Sequence, residues 1–458
     1  MIVFLEPRIA PAGLIDITFS RGNLVLKSFT GTAGDEAATL TRSGADGITI
    51  TPGANVAIRF EGIIFAPAAP LSLAGFTGSL TAKLGGGNDA LTLDGGTYPG
   101  AVRIDLGDGA NQFTLTGADL HATKSLSVKS GSGSDLLIFK SAKLTIDGSL
   151  TVASGAGSDT VQFTAAIAEL AVLKNLTIAA KGSQSAVIEQ SITGLGKLNV
   201  GGALTLSAGT GDRVQQVLTG TIGALSIGGD VTFSATNPTE HTQVLASSGI
   251  SLALGGKLKF ASRALTAVQT LSASAGTIAA AVTLTGGTAV VVDFGGALAK
   301  NLSISTAKNH SASVALSAAD IGGNVRIATK DSFGLAASIA VQDVVIHGAL
   351  AVTGGIGATT LRVNQADIAG AFTVALKDGA NRFLIEQENQ SGASIFRGDV
   401  KLTGGIAVDT FALGGTANDA IQFLATVIAD GRAGIDVLTE GEASTHPAGL
   451  STVKISVP

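Results

Sequence analysis

The sequence predicts an all-β fold: a right-handed parallel β-helix with three faces, which is a β-solenoid of about 15–16 coils of roughly 25 residues. Three observations lead to this prediction: a near-repeat, a glycine in fixed phase with it, and short alternating stretches. The near-repeat is clearest between "SLSVKSGSGSD" at 125–135 and "SLTVASGAGSD" at 149–159, which are offset by 24 residues. Helical periodicity and helix-capping patterns are nearly absent.

The repeat is anchored on an apolar residue that opens an apolar-polar-apolar triplet. The anchors run along most of the chain: Leu24, Val56, Leu80, Val102, Leu126, Leu150, Leu176, Leu204, Val231, Leu258, Val282, Leu302, Val325, Leu350, Phe372 and Val400. From Leu80 to Val400 there are thirteen steps over 320 residues, which gives a mean period of about 25 residues.

Glycine confirms the phase of the repeat. It stands two positions before ten of the fourteen anchors from Leu80 on: Gly78, Gly100, Gly148, Gly202, Gly229, Gly256, Gly323, Gly348, Gly370 and Gly398. A glycine at a fixed point before a strand marks a corner that needs a positive φ or a close approach of two backbones.

Each period contains three short stretches that alternate apolar and polar residues. In the period that starts at Leu126 they are "LSV", "LLIF" and "KLTI". A period of two indicates a strand with one buried face. One coil cannot bury its apolar residues alone, so the coils are expected to stack at about 4.8 Å. The inward stack is predicted to contain Leu126, Leu150, Leu176 and Leu204. An antiparallel β-sandwich is the alternative, but it requires no such period.

The composition limits the classes of function. Charged residues are 14% of the chain, the net charge is −5, aromatic residues are 4% and cysteine is absent. This balance gives no basic surface for nucleic acid and no thiolate metal site. No apolar run approaches the roughly 20 residues of a spanning helix, so no transmembrane segment is expected.

The turn after the first strand of several coils has the form G-x-G-x-[DN]. Four successive turns end at Asp89, Asn111, Asp135 and Asp159, and looser versions occur in "KDGANRF" at 377–383 and before Asp409 and Asp419. These turns resemble the calcium-binding nonapeptides of RTX proteins, G-G-x-G-x-D-x-U-x, with the closest fit at "LGGGNDALTL".

The resemblance implies that Asp89, Asn111, Asp135 and Asp159 are ligands of calcium, the one cofactor that the sequence suggests. RTX motifs recur every nine residues, whereas here the motif occurs once per coil. The alternative is that the glycines form the turn and that the Asp or Asn side chain accepts backbone N–H groups, without any cofactor.

Two other patterns bear on function. Thr151, Thr177, Thr205 and Thr232 occupy the outward position of successive first strands. Such a column occurs on ice-binding β-helices, but threonine is also an ordinary residue of exposed strands. The five histidines fall in different coils, and no nucleophile elbow, phosphate loop or zinc pattern is present. The chain is therefore not expected to be an enzyme.

The N-terminal stretch "FLEPRIAPAG" resembles the LEPR motif of large surface or secreted proteins from planctomycetes and related bacteria. The matching residues are Leu5, Glu6, Pro7 and Arg8. The resemblance implies an extracellular or cell-surface location and agrees with a β-solenoid downstream.

These patterns divide the chain into a LEPR-type segment at 1–23, a solenoid at 24–423 and a C-terminal coil and tail at 424–458. The stretches "LIDITF" at 14–19 and "STVKISVP" at 451–458 alternate, so each is a candidate strand donor between copies of the chain.

The expected function is that of a non-enzymatic extracellular structural protein, a subunit of a self-assembling filament, sheath or surface layer. The expected partner is a second copy of the chain. The first alternative is a calcium-dependent or glycan-binding adhesin of the cell surface. The second is a β-helix polysaccharide lyase or hydrolase.

Overall fold

A computed structural model describes residues 13–29, 34–164, 166–183, 185–220, 224–330, 335–387, 392–415, 418–441 and 444–445. The fold is a parallel β-solenoid of about 13 turns, with about 26 residues in each coil. The predicted all-β solenoid is therefore confirmed, with fewer coils than expected. No helix in the described residues is long and apolar enough to cross a membrane. The chain forms two compact units, residues 1–213 and 214–458.

Unit 1 consists of short strands joined by tight turns. In chain order they are β1 (Gly13–Ser20), β2 (Asn23–Ser28), β3 (Ala37–Ser43), β4 (Gly47–Pro52), β5 (Val56–Phe60), β6 (Ile63–Ile64), β7 (Leu71–Leu73), β8 (Leu80–Lys83), β9 (Ala90–Tyr98), β10 (Val102–Asp105), β11 (Gln112–Ala122), β12 (Leu126–Lys129), β13 (Leu136–Phe139), β14 (Lys143–Ile146), β15 (Leu150–Ser154), β16 (Thr160–Phe163), β17 (Glu169–Val172), β18 (Leu176–Ala180), β19 (Val187–Leu195), β20 (Lys197–Val200) and β21 (Leu204–Ala208).

Each coil of unit 1 supplies one strand segment to each of three parallel faces. Face 1 stacks β8, β10, β12, β15, β18 and β21. Face 2 stacks β9, β11, β13, β16 and β19. Face 3 stacks the ends of β9 and β11 on β14, β17 and β20. The three strands predicted for one period are thus the three sides of one coil.

The predicted anchors lie in register on face 1. Leu126 pairs with Leu150, Leu150 with Leu176, and Leu176 with Leu204. All four side chains are at most 1% exposed. The threonines between them point outward and are half-buried. The predicted inward leucine stack is therefore confirmed.

The first strands of unit 1 depart from the repeat. Leu24 pairs directly with Leu80, while Val56 pairs with Gly13 of β1, so Val56 is not the anchor of a coil between them. The reason is local hairpin formation: β1–β2, β3–β4, β4–β7 and β5–β6 are antiparallel pairs. These hairpins replace coils, which accounts for part of the lower coil number.

Strand β1 contains the predicted donor stretch at 14–19. It lies between β2 and β5, and it pairs with β2 from Ile15 to Ser20 and with β5 from Gly13 to Ile17, so most of both edges is occupied. The second predicted donor, 451–458, lies outside the described residues, and so do Leu5, Glu6, Pro7 and Arg8.

Unit 2 has the same organisation, and its first strand begins at the unit boundary. Its strands are β22 (Arg213–Gly220), β23 (Ala224–Ile227), β24 (Val231–Ala235), β25 (Glu240–Leu254), β26 (Leu258–Ser262), β27 (Thr266–Ile278), β28 (Val282–Gly287), β29 (Ala289–Phe294), β30 (Ala297–Leu298), β31 (Leu302–Thr306), β32 (Ala312–Ser317), β33 (Asp320–Ile321), β34 (Val325–Ala328), β35 (Ala337–Ile346), β36 (Leu350–Thr353), β37 (Thr359–Ile368), β38 (Phe372–Ala375), β39 (Arg382–Ile385), β40 (Gly392–Phe396), β41 (Val400–Thr403), β42 (Thr410–Leu413), β43 (Asp419–Phe423), β44 (Val427–Asp430), β45 (Val437–Glu440) and β46 (Ser444–Thr445).

Face 1 of unit 2 stacks β24, β26, β28, β31, β34, β36, β38, β41 and β44 as parallel neighbours. The pairs run from Val231 with Leu258 to Phe372 with Val400, as the anchor series predicts, and add Val427 at the end. Both units therefore keep the repeat in register even though loop lengths vary.

The interior is mostly aliphatic, with aromatic stacks where coils place phenylalanine in register. Phe139 lies parallel to Phe163 with ring centroids 4.3 Å apart, and Phe383 stacks on Phe411 at 4.4 Å. Stacking of like on like follows from a parallel ladder, because each residue meets the same position of the next coil.

Unit 2 also has a buried polar column that the sequence analysis missed. Gln243 Nε2 donates to Gln216 Oε1 at 3.3 Å, and Gln269 Nε2 donates to Gln243 Oε1 at 2.8 Å. Their side chains are fully buried. The recurrent pattern of a glutamine two positions before leucine at 216–218, 243–245 and 269–271 was the signal for this ladder.

Candidate functional site

The predicted site is the turn that links face 1 to face 2 in unit 1. Asp89, Asn111, Asp135 and Asp159 occupy this turn on successive coils, and all four are at most 2% exposed. The structure thus brings the predicted residues into one column. We call these four residues, together with Glu36, the turn column.

Backbone hydrogen bonds connect the members of the turn column. Asn111 Oδ1 accepts the N–H of Asp89 at 2.9 Å, and Asp135 Oδ1 accepts the N–H of Asn111 at 3.0 Å. Asp159 Oδ1 accepts the N–H of Asp135 at 3.2 Å. Each side chain therefore satisfies a buried donor of the preceding coil, a donor that would otherwise carry a desolvation cost.

Glu36 begins the column and was missed by the sequence analysis. Its backbone N–H donates to Asp89 Oδ1 at 2.8 Å, and its Oε1 accepts from Ser28 Oγ at 3.0 Å. The stretch "GDE" at 34–36 has only the second half of the turn motif. An acidic residue two positions after a glycine and just before a strand was the available signal.

Asn111 shows which contacts the second terminal atom of this side chain makes in the turn; this atom is Nδ2 in Asn and Oδ2 in Asp. Its Nδ2 donates to Gly107 O at 2.9 Å and to Gly109 O at 3.1 Å. In Asp89, Asp135 and Asp159 this position is taken by Oδ2, which is buried. Their carboxyls lie next to the side chains of Glu36, Ser130 and Ser154, respectively. By analogy with Asn111, a protonated Oδ2 would donate to the backbone carbonyls of its own turn.

The electrostatics of the column agree with this geometry. Burial raises the pKa of Asp159 to about 6, against the opposing hydrogen bonds from the hydroxyl of Ser154 and from the N–H of Asp135. Burial also raises the pKa of Asp89 and of Asp135. Burial, and then neighbouring Asp89, raise the pKa of Glu36 to about 8. Removing a carboxyl from water disfavours its charged form, which favours the protonated state.

Glycine is required at the centre of the turn for two reasons. Gly133 has a φ of 130°, which disfavours other residues, and a Cβ there would lie 2.1 Å from Gly109 O of the preceding coil. Gly157 has the same relation to Gly133 O at 1.6 Å. The second glycine of the motif therefore allows the backbones of neighbouring turns to stack.

Unit 2 contains a second column of the same kind, formed by the looser motifs. Asn381 Oδ1 accepts the N–H of Thr359 at 3.1 Å, and Asp409 Oδ1 accepts the N–H of Asn381 at 2.9 Å. Asp436, which the sequence analysis did not select, accepts the N–H of Asp409 at 2.8 Å. The stretch "GID" at 434–436 carries the end of the motif.

The described residues contain no group of three or more His, Cys, Asp or Glu side chains that could hold a metal ion. Calcium takes six to eight oxygen ligands, while the turn column presents one side chain per coil. Calcium binding at Asp89, Asn111, Asp135 and Asp159 stays a prediction.

The histidines lie in separate environments. His241 is buried in unit 2, where Nε2 lies 3.0 Å from Gln216 Oε1 and Nδ1 lies 2.9 Å from Ser262 Oγ. Burial lowers the pKa of His241 to about 3, so the ring is neutral and belongs to the glutamine ladder. His121 and His347 each face an Asp side chain of a neighbouring coil.

In comparisons with protein families, with curated proteins and with solved structures, the chain gave no match.

Proposed function

We propose that the chain is a non-enzymatic structural protein of the extracellular space or cell surface, whose copies join end to end. The observation that carries this proposal is the last coil of unit 2. Strands β44, β45 and β46 pair only with the coil before them, and no other described strand covers their outer edges. Unpaired N–H and C=O groups on such an edge favour the addition of another strand.

The receiving edge in this proposal is the β5–β6 hairpin of unit 1. Strand β6 pairs with β5 on one side only among the described residues. Ile63 and Ile64 on it are 64% and 60% exposed, although both are large and apolar. Burial of this pair against the last coil of a second copy would remove apolar surface from water and favour assembly.

The use of polar side chains within the coils supports a structural role. Besides the turn column, the corner before face 1 has its own ladder. There Asn23 Oδ1 accepts the N–H of Ser79 at 2.8 Å, and Asn175 Oδ1 accepts the N–H of Ala203 at 2.9 Å. These side chains hold one coil to the next, as a load-resisting subunit requires.

The proposal is tested by measuring the mass of the full chain by light scattering over a range of concentrations, with electron microscopy of the same samples. We expect the mass to increase with concentration in multiples of the 45.2 kDa chain, and short linear assemblies in the micrographs. A protein that remains monomeric at the highest concentration would exclude end-to-end assembly.

A further inference from the structure

A cluster of cations lies on the outer side of face 1 in unit 1. Lys27, Lys83 and Lys129 project outward from β2, β8 and β12, and Arg103 projects from β10 between the last two. All four side chains are exposed. We call these four residues the basic face.

The cations of the basic face are not neutralised within the described part of the chain. None of the four makes a hydrogen bond or an ion pair there, whereas nearby Asp16 is held by Arg59 in a bidentate pair at 2.5 Å. Asp108 lines one groove beside Lys129 and keeps its negative charge, although its Oδ1 accepts the N–H of Ser132 at 2.7 Å and the hydroxyl of Ser132 at 2.8 Å.

Two acidic residues lie within the same ladder: Asp16, in register with Lys27, and Asp105, in register with Lys83 and with Lys129 on the two adjacent strands. Because Arg59 offsets the charge of Asp16, Asp105 is the one unpaired carboxylate of this ladder among the described residues. The four cations therefore leave a net positive surface on a chain whose total charge is −5. The field of such a patch attracts an anionic ligand.

The shape of the basic face suits an extended ligand. Two surface grooves, of about 330 and 410 Å³, meet at Lys129. The first is lined by Lys83, Arg103 and the hydroxyls of Thr81 and Ser127, and the second extends to Lys181. Each of four successive coils supplies one cation, with about 4.8 Å between neighbouring strands. Lys27, Lys83 and Lys129 share one ladder position, and Arg103 lies in the adjacent ladder, so the cations spread along the stacking direction instead of converging on one point.

We propose that the basic face binds an acidic polysaccharide lying along the stacked strands of unit 1. Ammonium and guanidinium groups would pair with its carboxylate or sulfate groups, and the Thr and Ser hydroxyls would bond to its sugar hydroxyls. The linings of the two grooves that meet at Lys129 contain no aromatic side chain on which a nucleic-acid base could stack, so a glycan is favoured there over a single-stranded nucleic acid. This binding is independent of the end-to-end assembly proposed above.

The rest of face 1 offers a matched control. Lys259, Arg326 and Lys401 are also exposed on the outer side of face 1, but in unit 2 and on strands that are not neighbours. Each has uncharged partners on both sides in the ladder. The triple variant K259Q/R326Q/K401Q therefore removes the same charge without removing a cluster.

The experiment measures binding of the full chain to polygalacturonate, dextran sulfate, neutral dextran and single-stranded DNA at low and high salt. We expect salt-sensitive binding to the two acidic polysaccharides and none to dextran. The variant K83Q/R103Q/K129Q should lose affinity by about tenfold or more, while the control triple variant stays close to the wild type. D105N should bind more tightly, because it removes the acid that lies between the two lysines.

Circular dichroism melts establish that each variant is folded before binding is compared. Three outcomes would overturn the proposal: no binding to either acidic polysaccharide, equal losses in the two triple variants, or tighter binding to DNA than to the polysaccharides. Polygalacturonate carries carboxylates and dextran sulfate carries sulfates, so a comparison of their affinities shows which anionic group the basic face prefers.

Discussion

At the scale of single residues, alternation along face 1 decides which substitutions the chain tolerates. Leu150 is fully buried between Leu126 and Leu176, while Thr151 next to it points outward. We expect Leu150→Asp to reduce the free energy of unfolding by more than about 3 kcal/mol, because it buries an unpaired charge. Thr151→Asp is the control and should cost less than about 1 kcal/mol.

Denaturant unfolding followed by circular dichroism measures both variants. If Leu150→Asp does not fold, Leu150→Ala serves instead, with an expected cost of about 2–5 kcal/mol. Equal effects of the two Asp variants would mean that the assignment of inward and outward positions is wrong.

The glycines of the turn column permit a second test at this scale. Gly133→Ala places a methyl group against Gly109 O and forces alanine to a φ of 130°, so we expect a loss of more than about 1 kcal/mol. Gly86 lies in the same kind of turn, but a Cβ added there would have no other heavy atom within 4 Å, so Gly86→Ala should be neutral or slightly stabilising. Thermal melts measure both variants, and a tolerated Gly133→Ala would contradict the close stacking of turns.

Individual residues were predictable from the sequence where the same residue type recurs at the same position of successive coils. The leucine anchors and Asp135 or Asp159 recur at a fixed phase, so period and composition locate them. Glu36 and Gln243 were not predicted, because a polar residue at an inward position is normally evidence against burial. Only the partner on the next coil explains its presence, and that partner is distant in sequence.

At the scale of the element, the turn column makes stability depend on pH. The pKa of Asp159 is about 6 in the folded chain, above its ordinary value of about 3.9 in an unfolded one. A group whose pKa is higher in the folded chain than in the unfolded chain stabilises the fold fully at pH values below its unfolded pKa. This stabilisation is lost as the pH rises through its folded pKa. Glu36, with a pKa of about 8, extends this loss to higher pH. We therefore expect the Tm to fall between pH 4 and pH 8.

Asp159→Asn tests the origin of this dependence. Asparagine supplies the amide donor that Asn111 uses at the same position, and it cannot ionise. The variant should melt at a higher temperature than the wild type at pH 7.5 and should show a weaker pH dependence between pH 4 and pH 6. Asp119→Asn removes an exposed carboxylate of the same unit and should change neither property. A lower Tm for Asp159→Asn at pH 7.5 would contradict a protonated column.

Calcium would produce the opposite result. If the ion bound to the carboxylates of the turn column, EDTA would lower the Tm of the wild type by several degrees, and Asp159→Asn would remove that shift. Because each Oδ1 already accepts a backbone N–H and burial favours the protonated form of these carboxyls, we expect EDTA to leave the Tm unchanged. Melting curves with added calcium and with EDTA, at pH 7.5, distinguish the two cases.

Elements were predictable from the repeat and unpredictable where the repeat stops. The three strands of each coil follow from alternation between glycine turns. The hairpins around Val56 could not be predicted from alternation, because an alternating stretch pairs equally well with a sequence neighbour or with another coil. Local pairing is chosen there by short connections such as 44–46, which join β3 to β4 directly.

At the scale of the whole molecule, the sequence indicates self-association through strand edges but does not identify the edges. The predicted donor at 14–19 is paired on both sides within its own sheet. The edges left open in the described residues are those of β6 and β7 in unit 1 and of the last coil in unit 2. Which strand has a free edge depends on pairing between distant residues, and alternation alone carries no such information.

The open edge of β45 gives the last prediction. Val437 and Thr439 are exposed on this strand, and natural edge strands use lysine to prevent pairing with other chains. We expect the variant V437K/T439K to remain monomeric at concentrations where the wild type assembles, since lysine side chains on an edge strand oppose pairing with another chain. The control T151K/A153K adds the same charge to the outer side of β15, whose two edges are already paired. Light scattering at matched concentrations measures both. Assembly of the edge variant to the wild-type mass would show that copies associate through another surface, and loss of assembly in both variants would attribute it to net charge alone.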